Sequence, residues 1–214
     1  MVGCVGGRCV VWLLTTLAYG HPMGVEGWAT YTAVRVESSG PEVVVALEIP
    51  LKEGLERFKS FTATSRDPDV EDAYRAKVWE EMAGGLSLRV AEGEVEGRWI
   101  PVWSAMNGLA AETGFLYLLR FKPTRSDSWE ASTQITVHNE AFSEQTMWRS
   151  AWVESVSGCR ISTNSALETL PFLSPDPMTS REVWRQDVAL KRLIVGWSCG
   201  NLSASAEPTV SAGG

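Results

Sequence analysis

Between Trp28 and Ile49 the chain twice repeats an extended pattern, and this stretch constrains the fold more than any other. Residues two apart share a face of a strand. The first run, Trp28 to Glu37, therefore puts Trp28, Thr30, Thr32, Val34 and Val36 on one side. Ser38-Ser39-Gly40-Pro41 supplies turn chemistry, and Glu42 to Ile49 resumes the strand. The middle of the second run, Val43 to Leu47, is apolar on both faces, as a strand covered on two sides requires. The two runs predict a hairpin at the start of a β domain.

Further short strands follow at Leu86–Val90, Arg98–Trp103, Gly114–Phe121, Ser132–His138 and Met147–Val156. Pro101 cannot donate to a ladder, so its segment is expected at a sheet edge or as an irregular strand. In the Ser132–His138 run, Ile135 and Val137 take one face while Gln134, Thr136 and His138 take the other. Trp99 with Trp103, and Trp148 with Trp152, are each expected on one shared face. Leu51 to Phe61 is ambiguous between helix and loop. Val70 to Met82 has helical spacing, preceded by the breaker Ser65-Arg66-Asp67-Pro68-Asp69 and stopped by Gly84-Gly85. The fold class expected is mainly β, an antiparallel Ig-like β-sandwich with one inserted helix and a short C-terminal helix.

The N-terminal segment reads as an export signal. Arg8 charges its first part, Cys9 to Leu14 is apolar, and Ala18 and Gly20 are the small residues a signal peptidase needs. A mistaken start or a buried N-terminal strand is the competing reading. The domain layout expected is a signal peptide over 1–20, a β-sandwich over 21–157, a connector and helix packing on it over 158–199, and a disordered tail over 200–214. Within the third part, Leu170 to Pro177 is a proline-punctuated connector, and Thr179 or Ser180 could cap a helix reaching Leu193. No later stretch has the roughly 20 apolar residues of a membrane span. The expected location is extracytoplasmic, periplasmic or secreted.

The net charge is −7 and there is no basic cluster, which argues against nucleic-acid binding and against adhesion to anionic lipid. Of the four cysteines, Cys159 and Cys199 follow the signal; a single disulfide and two free thiols both stay open. No CxxC pair, GxSxG, HExxH or phosphate-cradling glycine loop occurs, so an enzyme is not expected. Triad chemistry would have to use His138. The acidic run Asp67, Asp69, Glu71 and Asp72 lacks the spacing of a calcium loop and suits a helix start.

The two histidines are His21 and His138. After signal cleavage His21 would offer its α-amine and Nδ1, and His138 a third nitrogen, a set that suits a Cu or Ni ion. Pro22 has no amide proton to lose, so the first peptide nitrogen cannot join such a chelate. A frayed terminus and a solvent-facing strand histidine are the bland alternative. Nine tryptophans follow residue 20. They fill a core in the usual case; exposed, they would make a stacking platform for a ligand such as a sugar.

The motif order resembles the extracytoplasmic N-terminal domain of nickel/cobalt-type permeases (NicO-like, with HupE/UreJ-like proteins a looser parallel). His21-Pro22-Met23-Gly24 follows a small-residue cleavage site as in that family. Ala46-Leu47-Glu48-Ile49-Pro50 is similar to its Ala-Glu-Ile-Pro-like strand end. Gly114-Phe115-Leu116-Tyr117-Leu118-Leu119-Arg120 is similar to its Gly-Leu-x-x-Leu-Arg-like strand. Asn139, Phe142 and Arg149-Ser150-Ala151-Trp152 resemble its amide, aromatic and Arg-x-x-Trp elements. Val25 to Thr30 replaces the family's Asn-x-x-x-Asn-His element, and the permease helices are not in this sequence. The resemblance implies a non-enzymatic domain accessory to transition-metal handling, with a membrane permease as partner. From the residues alone, a generic extracytoplasmic ligand-binding or adhesion module using exposed aromatics is the alternative.

Overall fold

The computed structural model describes residues 27–91, 93–105, 114–124, 134–145, 147–156, 158–165 and 191–199. Among them are ten strands and two helices. The strands β1 (Trp28–Glu37) and β2 (Gly40–Pro50) lead into the helices α1 (Leu51–Thr64) and α2 (Val70–Gly84). Then come β3 (Leu86–Val90), β4 (Gly93–Glu94), β5 (Gly97–Ala105), β6 (Gly114–Pro123), β7 (Gln134–Asn139), β8 (Met147–Ser155), β9 (Cys159–Asn164) and β10 (Arg192–Cys199). No helix among the described residues is long and apolar enough to cross a membrane.

The strands make two five-stranded sheets, ordered β5-β6-β2-β1-β8 and β4-β3-β7-β10-β9. The hairpin expected at the start is there. Glu37 stands opposite Gly40, leaving Ser38 and Ser39 as the turn, and Gly40 takes a φ of 115° that a side chain would resist. Pairing is antiparallel throughout except between β1 and β8, which run parallel. That join corrects the all-antiparallel expectation. It brings the 147–155 strand beside β1 rather than beside β7.

The sheets pack face to face through their inward residues. Val34, Val36, Val43 and Phe121 of the first sheet share a core with Leu88, Ile135, Val137, Leu193, Val195 and Trp197 of the second. The rest of the first sheet's inner face is covered by helices. Tyr74, Val78 and Met82 of α2, flanked by Phe58 and Phe61 of α1, meet Leu47, Ile49, Phe115, Tyr117 and Leu119. The helix pair therefore completes the layer that the second sheet begins.

Two helices stand where one was expected. The ambiguous stretch after β2 is helical, and its spacing packs the half-buried Phe58 and Phe61 against Tyr74, at ring separations of 5.2 and 5.5 Å. Gly54 lets the helix lie on Phe115, since a Cβ there would come within 2.8 Å of its ring. At its start, Trp28 Nε1 donates to Glu53, and Arg57 stacks over Trp28 and Phe142 at 5.2 and 5.3 Å while pairing with Glu81 at 2.8 Å. α2 ends at Gly85, whose carbonyl accepts from Glu140 and whose Cβ, if present, would lie 2.4 Å from Ala141.

Residues 159–164 and 192–199 are strands of the second sheet, where the sequence pattern suggests connector and helix. Leu193, Val195 and Trp197 alternate into the core, a period of two that overrides the helical spacing read up to Leu193. The proline-rich connector and the helix start at Thr179 or Ser180 lie outside the described residues, as do the signal segment and the tail.

Candidate functional site

Local pairing builds one open polar face. On β7, Ile135 and Val137 are buried, so Gln134, Thr136 and His138 point away from the core, as their alternation predicts. β3 and β10 flank β7 on either side. Arg89 of β3 stands opposite Thr136, and Arg192 of β10 opposite His138. These residues line a cleft of about 490 Å³ on the outer face of the second sheet, with Val90 and Ala91 at its end.

The cleft gathers two cationic side chains in a chain whose net charge is −7. Arg89 and Arg192 are both exposed, and neither joins an ion pair among the described residues. Among the other described basic side chains some are matched and some, such as Lys52, Lys59, Arg66, Arg98, Lys122 and Arg160, join no ion pair among the described residues. Arg57 and Lys77 meet Glu81, Arg75 meets Glu71 and Asp72, Arg35 meets Glu37 and Glu154, and Lys191 meets Glu140. By register Glu94, exposed on β4, stands opposite Arg89, and Glu140, two residues beyond His138, is paired with Lys191. Two guanidiniums with an imidazole and a hydroxyl between them are a donor set for an anion, each fork matching a carboxylate or a like oxyanion.

His138 is thus presented to the cleft and not to the core. Its cross-strand neighbours are Ser87 and Arg192. His21, the other residue of the expected metal pair, lies outside the described residues. Among the described residues no three His, Cys, Asp or Glu side chains gather to hold a metal ion. Cys159 and Cys199 are joined in a disulfide between paired positions of β9 and β10. The acidic run serves the helix start: Glu71 and Asp72 pair with Arg75, and Asp67 Oδ1 accepts from the Asp69 amide at 2.9 Å.

The tryptophans divide. Trp28 and Trp197 are buried in the core, Trp99 packs on Phe121 at 5.3 Å, and Trp79 meets Tyr117 edge-on at 6.3 Å. Trp99 and Trp103 do not share a face as expected. β5 is the edge strand that Pro101 predicts, and a bulge between Pro101 and Trp103 shifts the register so that Trp103 pairs with Leu118. One extra residue reverses the facing of everything beyond it. Trp103 accordingly packs with Ala33, Val44, Ala46 and Leu118 on the outer side of the first sheet. Trp148 and Trp152 do share a side, but it is that same outer side, since they pair with Ala29 and Ala33. Trp152 is 51% exposed. Trp129 and Trp184 lie outside the described residues.

Three tyrosines are held as phenols by burial. Burial raises Tyr31 above the ordinary phenol range, with the Glu48 carboxylate, to which it donates at 3.4 Å, acting the same way. Burial likewise raises Tyr117, and it raises Tyr74 against the opposing charge of Arg57. None of the three lines the His138 cleft. A smaller hollow of about 250 Å³ between α1 and α2 holds Arg57, Tyr74, Lys77 and Glu81, whose charges already satisfy one another.

No protein-family model matches the chain, and no curated protein is significantly similar to it.

Proposed function

We propose that the chain is a non-enzymatic, extracytoplasmic binding module of Ig-like sandwich type, and that its ligand face is the outer surface of the second sheet. The observation that carries this reading is the cleft itself. Arg89 and Arg192 stand without ion-pair partners among the described residues on either side of Thr136 and His138, in a chain whose net charge is −7. A hollow on which a few polar groups converge is the default place for a ligand to bind. Binding is favoured over catalysis by what surrounds the imidazole. Ser87 stands opposite His138, yet no hydrogen bond joins the two and no carboxylate orients the ring among the described residues.

The disulfide supports export, because such bonds persist in oxidising compartments and this one closes the edge of the second sheet. The aromatic platform has less support. Tyr31 is engaged with Glu48, Trp103 is packed, and of the large aromatics described only Trp152 is exposed.

A second reading is a role in Cu or Ni handling beside a membrane permease. The presentation of His138 to an open cleft favours it. The two guanidiniums raise the cost of a divalent cation there, so it stands second.

The test is to map amide chemical shifts of the whole chain during titration with small carboxylates, neutral oligosaccharides, Cu(II) and Ni(II). A ligand that perturbs the outward residues of β3, β7 and β10, and is lost in the cleft-filling Thr136→Trp variant, supports the assigned face. Binding that survives Thr136→Trp and is lost in Trp152→Ala would move the ligand face to the first sheet. Metal binding lost on His138→Ala, and on adding one residue ahead of His21, would establish the second reading.

A further inference from the structure

Resting on that reading of the face, we propose that its ligand is a small di- or tricarboxylate gripped at two ends by Arg89 and Arg192. The two arginines sit on opposite banks of β7 and two residues apart along it, since Arg89 faces Thr136 and Arg192 faces His138. Adjacent strands lie about 4.8 Å apart and residues rise about 3.3 Å each, which separates the two α-carbons by roughly 12 Å. A lone tetrahedral oxyanion would need both side chains to lean in over β7 to take bidentate bonds from both forks. A short carbon chain with a carboxylate at each end spans the forks with each side chain over its own strand, each terminus receiving two parallel N–H···O bonds.

Between the forks, Thr136 and His138 offer a hydroxyl and an imidazole to the middle of the ligand, where a hydroxyl or a third carboxylate would sit. The cleft volume, about 490 Å³, lies within the range of small-molecule sites and favours a small ligand over a long acidic peptide. The banks are unequal. Glu94 lies opposite Arg89 on β4, whereas β7 places His138 opposite Arg192. The Arg192 end therefore carries more of the binding.

Calorimetric titration of the whole chain with citrate, succinate, inorganic phosphate and sulfate, in a low-salt buffer free of carboxylates, tests this. Citrate is expected to bind more tightly than succinate, and both more tightly than phosphate or sulfate, with affinity falling as salt rises. Arg192→Gln is expected to weaken citrate by at least about tenfold, Arg89→Gln by less, and Glu94→Gln to tighten it, because each guanidinium supplies charge-assisted bonds that Gln cannot. All three positions are exposed strand sites, and circular dichroism with thermal melts confirms that each variant is folded. Several results would overturn the ligand class. One is the absence of citrate and succinate binding, and another is equal binding of citrate by the native chain and Arg192→Gln. A third is tight capture of polyglutamate where citrate binds weakly, which would assign the face to an acidic peptide. If a neutral glycan or a metal binds and Thr136→Trp abolishes it, the face stands and the carboxylate class falls. If no bound ligand responds to Thr136→Trp, both fall.

Discussion

Arg149 Nη1 donates to the main-chain carbonyl of Asn139 at 3.0 Å, inside the sandwich, joining β8 of one sheet to the end of β7 in the other. Arg149 is 5% exposed and Asn139 2%. The Asn139 side chain extends the link, its Nδ2 donating to Thr30 at 3.3 Å and Thr32 at 3.4 Å on β1. A buried guanidinium is costly unless hydrogen-bonded, so this polar seam fixes how the two sheets meet.

Arg149→Ala is expected to destabilise the fold by about 3–5 kcal/mol, because it opens a cavity and strips buried groups of their partner. Asn139→Ala keeps the main-chain carbonyl and loses only the threonine bonds, for about 1–3 kcal/mol. Arg149→Met, which fills the volume without the charge, falls below Arg149→Ala. Urea unfolding of the three variants gives the order; a larger loss for Asn139→Ala than for Arg149→Ala would contradict it.

Adjacent glycines at the end of α2 are expected to respond in opposite senses. A methyl on Gly85 would lie 2.4 Å from the Ala141 backbone, which cannot yield without moving the turn that carries Phe142 at a φ of 50°. Gly85→Ala should cost about 1–3 kcal/mol as overpacking does. A methyl on Gly84 would meet nothing within 4 Å, so Gly84→Ala should add about 0.4–1 kcal/mol by restricting the unfolded chain. Thermal melts of the pair separate the two effects.

Alkaline pH should unfold the protein through its tyrosines. Tyr31, Tyr74 and Tyr117 all have folded-state values raised above that of the unfolded chain. The folded state therefore holds their protons more strongly. The stability this provides is complete below the unfolded value of about 10 and is lost as pH rises from there through the folded values. Each tyrosine contributes a slope of about 1.4 kcal/mol per pH unit in that window. Ultraviolet titration should show these three of the chain's four tyrosines ionising together with loss of structure, while stability between pH 7 and 9 is unaffected by them. Ionisation of all three in a still-folded protein would refute this.

Removing the disulfide should lower stability by about 4 kcal/mol on the loop-entropy account, given 40 residues of separation between Cys159 and Cys199. The bond ties β9, an edge strand, to β10. Reductant, or replacement of both cysteines by Ser, should lower the melting temperature and speed amide exchange first in β9. Unchanged melting in reductant would show that pairing of these strands holds without the bond.

The strands legible in the chain are those whose signal is local. β1 and β7 alternate at a period of two, and β2 is an apolar run buried on both faces, as its sequence indicates. Pro101 marks its edge strand for an equally local reason, the missing amide donor. β10 departs from its helical reading because Leu193, Val195 and Trp197 form a short apolar run that follows a helix-like spacing, and only the core opposite decides between the two. The outward facing of Trp103 is not legible in sequence, since a bulge is a relation between β5 and β6 and not a property of β5.

The site shows the same division. The polar face of β7, His138 included, follows from sequence alone, while Arg89 and Arg192 carry no sign of belonging to it. The sequence by itself determined the hairpin, the α2 helix and which residues of each regular strand face inward, because periodicity, turn chemistry and donor loss act within a few residues. Only the tertiary structure decided that β8 runs parallel to β1, that Arg149 and Asn139 close the sandwich, and that two arginines more than 100 positions apart flank the polar face of β7. Those relations are set by burial between segments remote along the chain, and no local pattern encodes which remote segment arrives.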